Sequence, residues 1–186
     1  MALTAFFVLK GVGHDMAADE NQKGFIKPEE IKANKQAPGM HAKELGEHTW
    51  AVIFSSGDEI FSGLTNWAAD HRVRSAHLTA VGALKSAVLG YYDLEHKVYR
   101  KIAVDEQVEL LSLIGDFAID NGKPVLHAHV IVGRQDGSMR GGHLIEAYAS
   151  PTTEVFVTTS PIELQRTFDP VSGLDLITIQ ENRQGL

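Results

Sequence analysis

The sequence of 186 residues contains no cysteine. Disulfide bonds, thiolate nucleophiles and cysteine-based zinc or iron–sulfur centres are therefore excluded. Basic residues are also scarce, because 17 lysines and arginines stand against 24 acidic residues and give a formal net charge of −7. An acidic surface of this kind repels the phosphate backbone of nucleic acids. We therefore expect no direct binding of duplex DNA by the chain.

Long hydrophobic runs are missing as well. No segment approaches the roughly 20 apolar residues that a helix needs to span a bilayer, so we expect a cytoplasmic protein without membrane association. Residues 5–9 are apolar and resemble the core of a signal peptide, although a basic start and a clear cleavage site are lacking. Two interpretations stay open: an apolar segment packed on the domain or on a neighbouring subunit, and a signal remnant that would imply a secreted or periplasmic protein.

One change in composition divides the chain. Residues 11–47 are polar, rich in glycine, lysine and glutamate, and have no sustained hydrophobic period. We predict an N-terminal region at 1–47, comprising the apolar segment and an extended arm with at most one helical turn after Pro28. A folded domain is predicted at 48–180, followed by a short C-terminal tail at 181–186.

Within the predicted domain, one helix precedes a series of strands. Ser56 and Glu59 have the spacing of a capping box, and Ile60 and Trp67 follow at helical spacing, which predicts a helix that ends near Asp70. The segments that follow are short, rich in β-forming residues and separated by turns. This order predicts an α+β fold: a largely antiparallel, mixed sheet with one main helix packed on it. About seven short strands are expected, at 75–81, 87–92, 98–104, 108–114, 125–132, 143–148 and 154–159, with further strand-like segments at 49–54 and 174–179.

Two histidines interrupt an otherwise apolar strand. His127 and His129 are two residues apart within the segment 125–132, so their side chains point to the same face with Cα atoms about 6.6 Å apart. At that spacing both imidazoles can converge on one metal ion. The alternative is that they are interior histidines hydrogen-bonded to neighbours, and the pair alone does not decide between the two.

The length of the turn at Asp136 and Gly137 decides where a third histidine lies. A two-residue loop would place Leu144 opposite His129 and turn His143 to the other face. A three-residue loop, with Gly137 in the left-handed conformation, would place His143 directly opposite His129, with imidazole nitrogens within about 4 Å of one another. That register forms a three-histidine site with an open fourth position, which suits Zn²⁺ or another divalent metal.

Glu109 is the candidate for a catalytic or orienting carboxylate. By alternation it shares a strand face with Leu111 and Leu113, while Val108 and Leu110 occupy the other face, so both faces are expected to be largely buried. A buried carboxylate is costly unless it is paired. Glu109 is therefore a candidate for orienting a metal-binding histidine or for acting as a general base. The alternative is an edge position with the carboxylate in water.

Several blocks of this sequence follow in the order found in one known family. The chain resembles the plant-and-prokaryote-conserved domain (PPC, also PCC or DUF296) of the stand-alone prokaryotic type, over residues 48–179. The resemblance implies a compact α+β fold, a homotrimer and, in some members, a metal bound by the histidines that match His127, His129 and His143. Prokaryotic members are often labelled as DNA-binding proteins, because the plant members carry an AT-hook. The blocks that carry the resemblance are 82–87, 109–115, 126–130, 141–144 and 154–155.

The sequence departs from that family in three places. It has no Arg-Gly-Arg-Pro hook, which removes the DNA contact that the resemblance would otherwise supply. Asp116 stands where the family often has asparagine, and Ala147 stands where glycine is common. We therefore predict a homotrimer whose three-histidine zinc site serves a small-molecule ligand or a protein interaction. The alternative is a zinc-dependent enzyme, hydrolytic or of the lyase type, that uses a metal-bound water with Glu109 as its base.

Overall fold

The structure, a computed structural model, describes residues 24–179. The apolar segment at 1–10, the first part of the predicted arm and the predicted tail lie outside the described residues. The elements are, in chain order, β1 (Phe25–Ile26), a 3₁₀ turn (Pro28–Glu30), β2 (His41–Gly46), β3 (Thr49–Ser55), α1 (Ile60–Asp70), β4 (Ser75–Asp93), β5 (Val98–Val104), β6 (Val108–Asp120), β7 (Lys123–Gly133), β8 (Met139–Ser160), β9 (Gln165–Asp169) and β10 (Leu174–Thr178).

All ten strands belong to one sheet, whose main path runs β1-β5-β4-β6-β7-β8-β3-β2. The pairings are antiparallel, except for a single parallel pair between β6 and β9. Strand β4 pairs with β6, β6 with β7, β7 with β8, and β8 again with β4. These four strands therefore form a closed ring of pairings, and the hairpin β9–β10 is attached to the end of β6.

The expected fold class is confirmed in outline, since the described chain is mostly sheet with one α-helix. The expected number of strands was wrong, because the sheet has ten. The segments predicted at 75–81 and 87–92 are one continuous strand, β4, and those at 143–148 and 154–159 are β8. Register shifts within the β4–β8 pairing interrupt the alternation of inward and outward side chains. In the sequence alone, such an interruption resembles the end of one strand and the start of another. Strands β1, β2 and β9 were not predicted.

The predicted arm contributes to this sheet. The 3₁₀ turn at Pro28–Glu30 is the single helical turn expected after Pro28. Strand β2, which the sequence places in the arm, pairs along β3. The described sheet therefore begins before residue 48.

The helix α1 is capped by a buried carboxylate. The predicted helix is confirmed at Ile60–Asp70, but its N-cap is Glu59 and not Ser56. Glu59 accepts hydrogen bonds from the backbone N–H groups of Phe61 at 2.9 Å and Ser62 at 2.7 Å. It also accepts one from Ala147 of β8 at 3.1 Å. One side chain thus satisfies the start of the helix and joins it to the sheet.

The hydrophobic core lies between α1 and the inward faces of the ring strands. No helix within residues 24–179 is long and apolar enough to cross a membrane. The outward faces of the same strands carry His127, His129 and His143. Large core side chains include Phe54, Leu64, Trp67, Leu78, Leu84, Leu113, Phe117 and Leu144.

Candidate metal centre

Of the two loop lengths considered for the β7–β8 hairpin, the structure has the three-residue loop. Arg134 donates its backbone N–H to Ser138 at 2.9 Å, and the N–H of Gly137 closes the turn on the carbonyl of Arg134. Gly137 has a φ of 79°, in the left-handed region that residues other than glycine rarely adopt. His143 therefore lies directly opposite His129, as predicted.

The register brings three histidines together on the outward face of the sheet. One ring nitrogen from each of His127, His129 and His143 lies within 4.8 Å of the others, slightly farther apart than the predicted separation of about 4 Å. The rings of His127 and His143 are stacked with centroids 5.4 Å apart, and the ring of His129 stands nearly perpendicular to both. Three imidazole nitrogens at this spacing could hold one metal ion and leave a coordination position open.

Asp116 of β6 supports the cluster from the neighbouring strand. It lies directly opposite His127 in the β6–β7 pairing, and its Oδ2 is 3.3 Å from Nδ1 of that ring. Its other oxygen accepts a hydrogen bond from Arg166 of β9 at 2.6 Å. A carboxylate at Nδ1 favours the tautomer that carries its proton there, which leaves Nε2 of His127 free to bind a metal.

His143 is the most enclosed of the three histidines. Its ring stacks on Tyr99 of β5, with centroids 4.6 Å apart and planes at 18°. Its Nδ1 is buried and has no hydrogen-bond partner among the described residues. A buried polar nitrogen without a partner is costly, and coordination to a metal would offset that cost. The environment of His143 therefore fits a metal ligand.

The fold holds His129 and His143 in the neutral form that metal binding requires. Burial, followed by the neighbouring His127 and His129, lowers the pKa of His143 to about 3. Burial and His127 also lower the pKa of His129, although Asp116 acts in the opposite direction. Both rings are therefore neutral near pH 7 and have their lone pairs available.

A cavity of about 600 Å³ borders the cluster. His127 and His143 of the cluster line it, together with Arg166 and Phe168 of the β9–β10 hairpin. Tyr99 lies at its wall, where burial and the neighbouring Tyr92 raise the pKa of the Tyr99 phenol to about 12. The cluster is therefore placed at the side of a pocket large enough for a small organic molecule.

Glu109 does not join this cluster, and of its two interpretations the carboxylate in water is the one found, although β6 is not an edge strand. The side chain is exposed and lines a different cavity, together with Gly82 and Thr152. Leu113 does not share the face of Glu109 because β6 has a bulge: the pairing with β7 shifts between Leu110 and Ser112, which inserts one extra residue. The bulge moves Leu113 to the inner face and leaves Glu109 outside.

Gly141 and Gly142, which precede His143, lie close to the backbone of neighbouring strands. A side chain at Gly142 would place its Cβ 2.6 Å from the carbonyl oxygen of Gly90 in β4. At Gly141 the nearest atom would be the carbonyl oxygen of Val130, at 3.1 Å. The absence of side chains at both positions therefore lets β8 pass close to its neighbours.

Sequence reasoning missed Asp116 and Arg166 as members of the site. Asp116 was noticed only as a departure from the family pattern, and Arg166 was not singled out. The Arg166 side chain is 8% exposed and belongs to a strand that is attached to β6 by one residue pair. No local pattern connects either residue with the histidine hairpin, so only their placement in the fold identifies them.

The fold and this site define a β-rich domain with a three-histidine cluster on the outward face of its sheet. The chain belongs to the Plants and Prokaryotes Conserved (PCC) domain family, which it matches over residues 41–161. That membership confirms the resemblance noted in the sequence. The sequence has no match among the curated proteins.

Three solved structures illustrate what this chain is similar to. A metal-containing protein of Archaeoglobus fulgidus is 36% identical with a TM-score of 0.66, covering 73% of this chain and 96% of that one. A candidate DNA-binding protein of Bacteroides thetaiotaomicron is 27% identical with a TM-score of 0.72, covering 75% and 96%. A plant- and prokaryote-conserved protein of Pyrococcus horikoshii is 27% identical with a TM-score of 0.66, covering 76% and 96%.

Proposed function

We propose that this protein is a metal-dependent binding module in which His127, His129 and His143 hold one Zn²⁺ ion. The observation that carries the proposal is the convergence of three imidazole nitrogens within 4.8 Å at the side of a cavity. The similarity to a metal-containing protein of Archaeoglobus fulgidus supports it. Three imidazole ligands and an open fourth position are typical of zinc sites that take a further ligand.

Metal analysis of the purified full chain tests this proposal. We expect about one zinc ion per chain after reconstitution and dialysis. Replacing His143 by alanine should sharply lower the zinc content while the circular dichroism spectrum is retained, because the hairpin register does not depend on the imidazole. His41→Ala, an exposed position on β2, is the matched control. Full zinc content in His143→Ala would contradict the proposal.

The structure favours binding over the zinc-enzyme alternative. A hydrolytic or lyase mechanism needs a base beside the metal-bound water, and Glu109 lines a different cavity. Asp116 is close to the cluster, but its two oxygens already accept hydrogen bonds from His127 and Arg166. Asp116 therefore orients a ring, which a binding module also requires.

We further propose that the protein is a homotrimer, as the family resemblance implies. The outward face around His129 exposes several large apolar side chains, which monomers rarely leave in water as a group. Light scattering of the full chain should give about three times its 20.3 kDa mass. A monomer at micromolar concentration would refute this assembly. The exposed apolar residues are Val81, Leu111, Ile114, Ile131 and Phe156.

A further inference from the structure

The cavity beside the histidine cluster is built largely from segments outside the family match. The family match ends at residue 161, whereas Arg166, Phe168, Leu174 and Leu176 lie on the β9–β10 hairpin and line the cavity. The 3₁₀ turn contributes Glu29 from before the match begins. These segments therefore supply much of the wall beside His127 and His143.

Arg166 is the group in that wall with unused capacity to bind a ligand. Its side chain is 8% exposed. It donates from Nη2 to Asp116 at 2.6 Å and from Nη1 to the carbonyl oxygen of Asp175 at 3.1 Å. Its Nε is buried and has no partner among the described residues. A guanidinium has five N–H donors in a planar fork that matches a carboxylate, so this side chain retains donors for an anionic group.

The remaining wall residues limit the kind of anion. Acidic side chains outnumber basic ones in the lining, which disfavours a dianion such as phosphate. Apolar side chains make up much of the rest, and they favour a ligand with a hydrocarbon part. The charged lining residues are Glu29, Asp120, Asp175, Lys32 and Arg166, and the large apolar ones include Val125, Phe168, Leu174 and Leu176.

We propose that this cavity binds a small monocarboxylic acid with an apolar chain, whose carboxylate is held by Arg166 beside the three histidines. The carboxylate supplies acceptors for the unused N–H donors of Arg166, and the hydrocarbon part packs on Phe168 and its apolar neighbours. The ligand class rests on the proposed function only in one respect: a zinc ion on the histidines adds attraction for the same anionic group. Arg166 anchors the ligand with or without that ion.

Isothermal titration calorimetry on the full chain, both zinc-loaded and metal-free, tests the proposal. The probes are hexanoate, acetate, inorganic phosphate and hexylamine. We expect hexanoate to bind about tenfold more tightly than acetate, because its longer chain buries additional methylene groups. Phosphate and hexylamine should bind more weakly than hexanoate. Tighter binding of either, or no binding of hexanoate to both protein forms, would overturn the proposal.

Two substitutions measure separately the contribution of Arg166 and that of the apolar side chain of Phe168 to ligand binding. Arg166→Gln should weaken hexanoate binding about tenfold or more, because charge-assisted hydrogen bonds are lost. Arg74→Gln is the control, since Arg74 forms an exposed ion pair with Glu163 outside this cavity. Phe168→Ser should weaken hexanoate binding and leave acetate binding unchanged. Phe168 is 61% exposed, so this second variant should fold even if Arg166→Gln does not.

The zinc content of each variant distinguishes a failure of the proposed zinc site from a failure of the proposed carboxylate site. If the wild-type chain binds no zinc, the proposed function fails, and the metal-free titration still decides whether the cavity takes a carboxylate. If zinc binds and Arg166→Gln retains wild-type affinity for hexanoate, the anchor is refuted while the metal site stands. Unchanged hexanoate binding in Phe168→Ser would refute the apolar wall.

Discussion

Replacing Asp116 by asparagine tests how the sheet prepares the histidines for a metal. The two carboxylate oxygens of Asp116 face different partners: Oδ1 accepts from Arg166 at 2.6 Å, and Oδ2 lies 3.3 Å from Nδ1 of His127. Asparagine has one acceptor oxygen and one amide donor. If its oxygen stays with Arg166, its NH₂ group faces His127. That ring must then accept at Nδ1 and carry its proton on Nε2, the nitrogen a metal would need.

The expected magnitude follows from this change of tautomer. Groups that orient a metal ligand contribute about 10–100-fold to metal affinity, and we expect Asp116→Asn to lower zinc affinity within that range. The free energy of unfolding should fall by about 1–2 kcal/mol. The loss is below that of a fully buried ion pair, because the Asp116 side chain is 31% exposed and the amide oxygen still accepts from Arg166.

A chelator-competition titration and urea unfolding of the metal-free chain provide the two measurements. Asp93→Asn is the matched control, because Asp93 also pairs with a histidine, His96, and its side chain is 32% exposed. Its zinc affinity should be that of the wild type. In the double variant with Arg166→Gln, the amide oxygen can turn to His127, so part of the zinc affinity should return. Wild-type affinity in Asp116→Asn, or no recovery in the double variant, would refute the tautomer argument.

Acidification should destabilise the metal-free protein below pH 6.5. Burial holds the pKa of His143 at about 3 in the folded chain, against an ordinary value of 6.5. The unfolded chain therefore takes up this proton first, and stability falls by up to about 1.4 kcal/mol per pH unit as the pH drops. Urea unfolding at pH 7 and pH 5 should show a smaller loss in His143→Gln, and equal losses would contradict the assignment. Glu59→Ala should lower the free energy of unfolding by about 2–4 kcal/mol, because three backbone N–H groups lose their acceptor; Glu44→Ala on the exposed strand β2 should change it little, and equal losses would count against the capping role. Duplex DNA should bind no more tightly than about 10⁻⁴ M at physiological salt, and a mobility shift at submicromolar protein that depends on sequence would contradict this.

The β7–β8 hairpin, which carries the three histidines, could be predicted because the residues that determine its register are close together in the sequence. The alternation along β7 places His127 and His129 on one face, and Gly137 supplies the left-handed position of a three-residue loop. The helix α1 was predictable for the same reason, since its apolar spacing lies within eleven residues. In both cases the determining residues are neighbours in the chain.

The parts that were mispredicted depend on distant partners. The argument for a buried Glu109 relied on Leu113 sharing its face, but the β6 bulge at Leu111 places Leu113 on the inner face, and nothing in that segment marks the extra residue. Arg166 reaches Asp116 across 50 positions of sequence. The continuity of β4 and β8 likewise reflects their pairing with each other along most of their length. Such pairings are set by the whole fold, so a local pattern cannot show them.

The closed ring of strands separates access to the three histidines from opening of the sheet. Strands β7 and β8 have partners on both sides, so their amide hydrogens exchange with solvent mainly through cooperative opening. The histidines nevertheless sit on the outward face, and His129 is exposed. In a single chain, a chelator or competing ligand could therefore approach the cluster while the backbone stays closed. Exchange of a metal at these histidines would then need no unfolding of the strands that carry them.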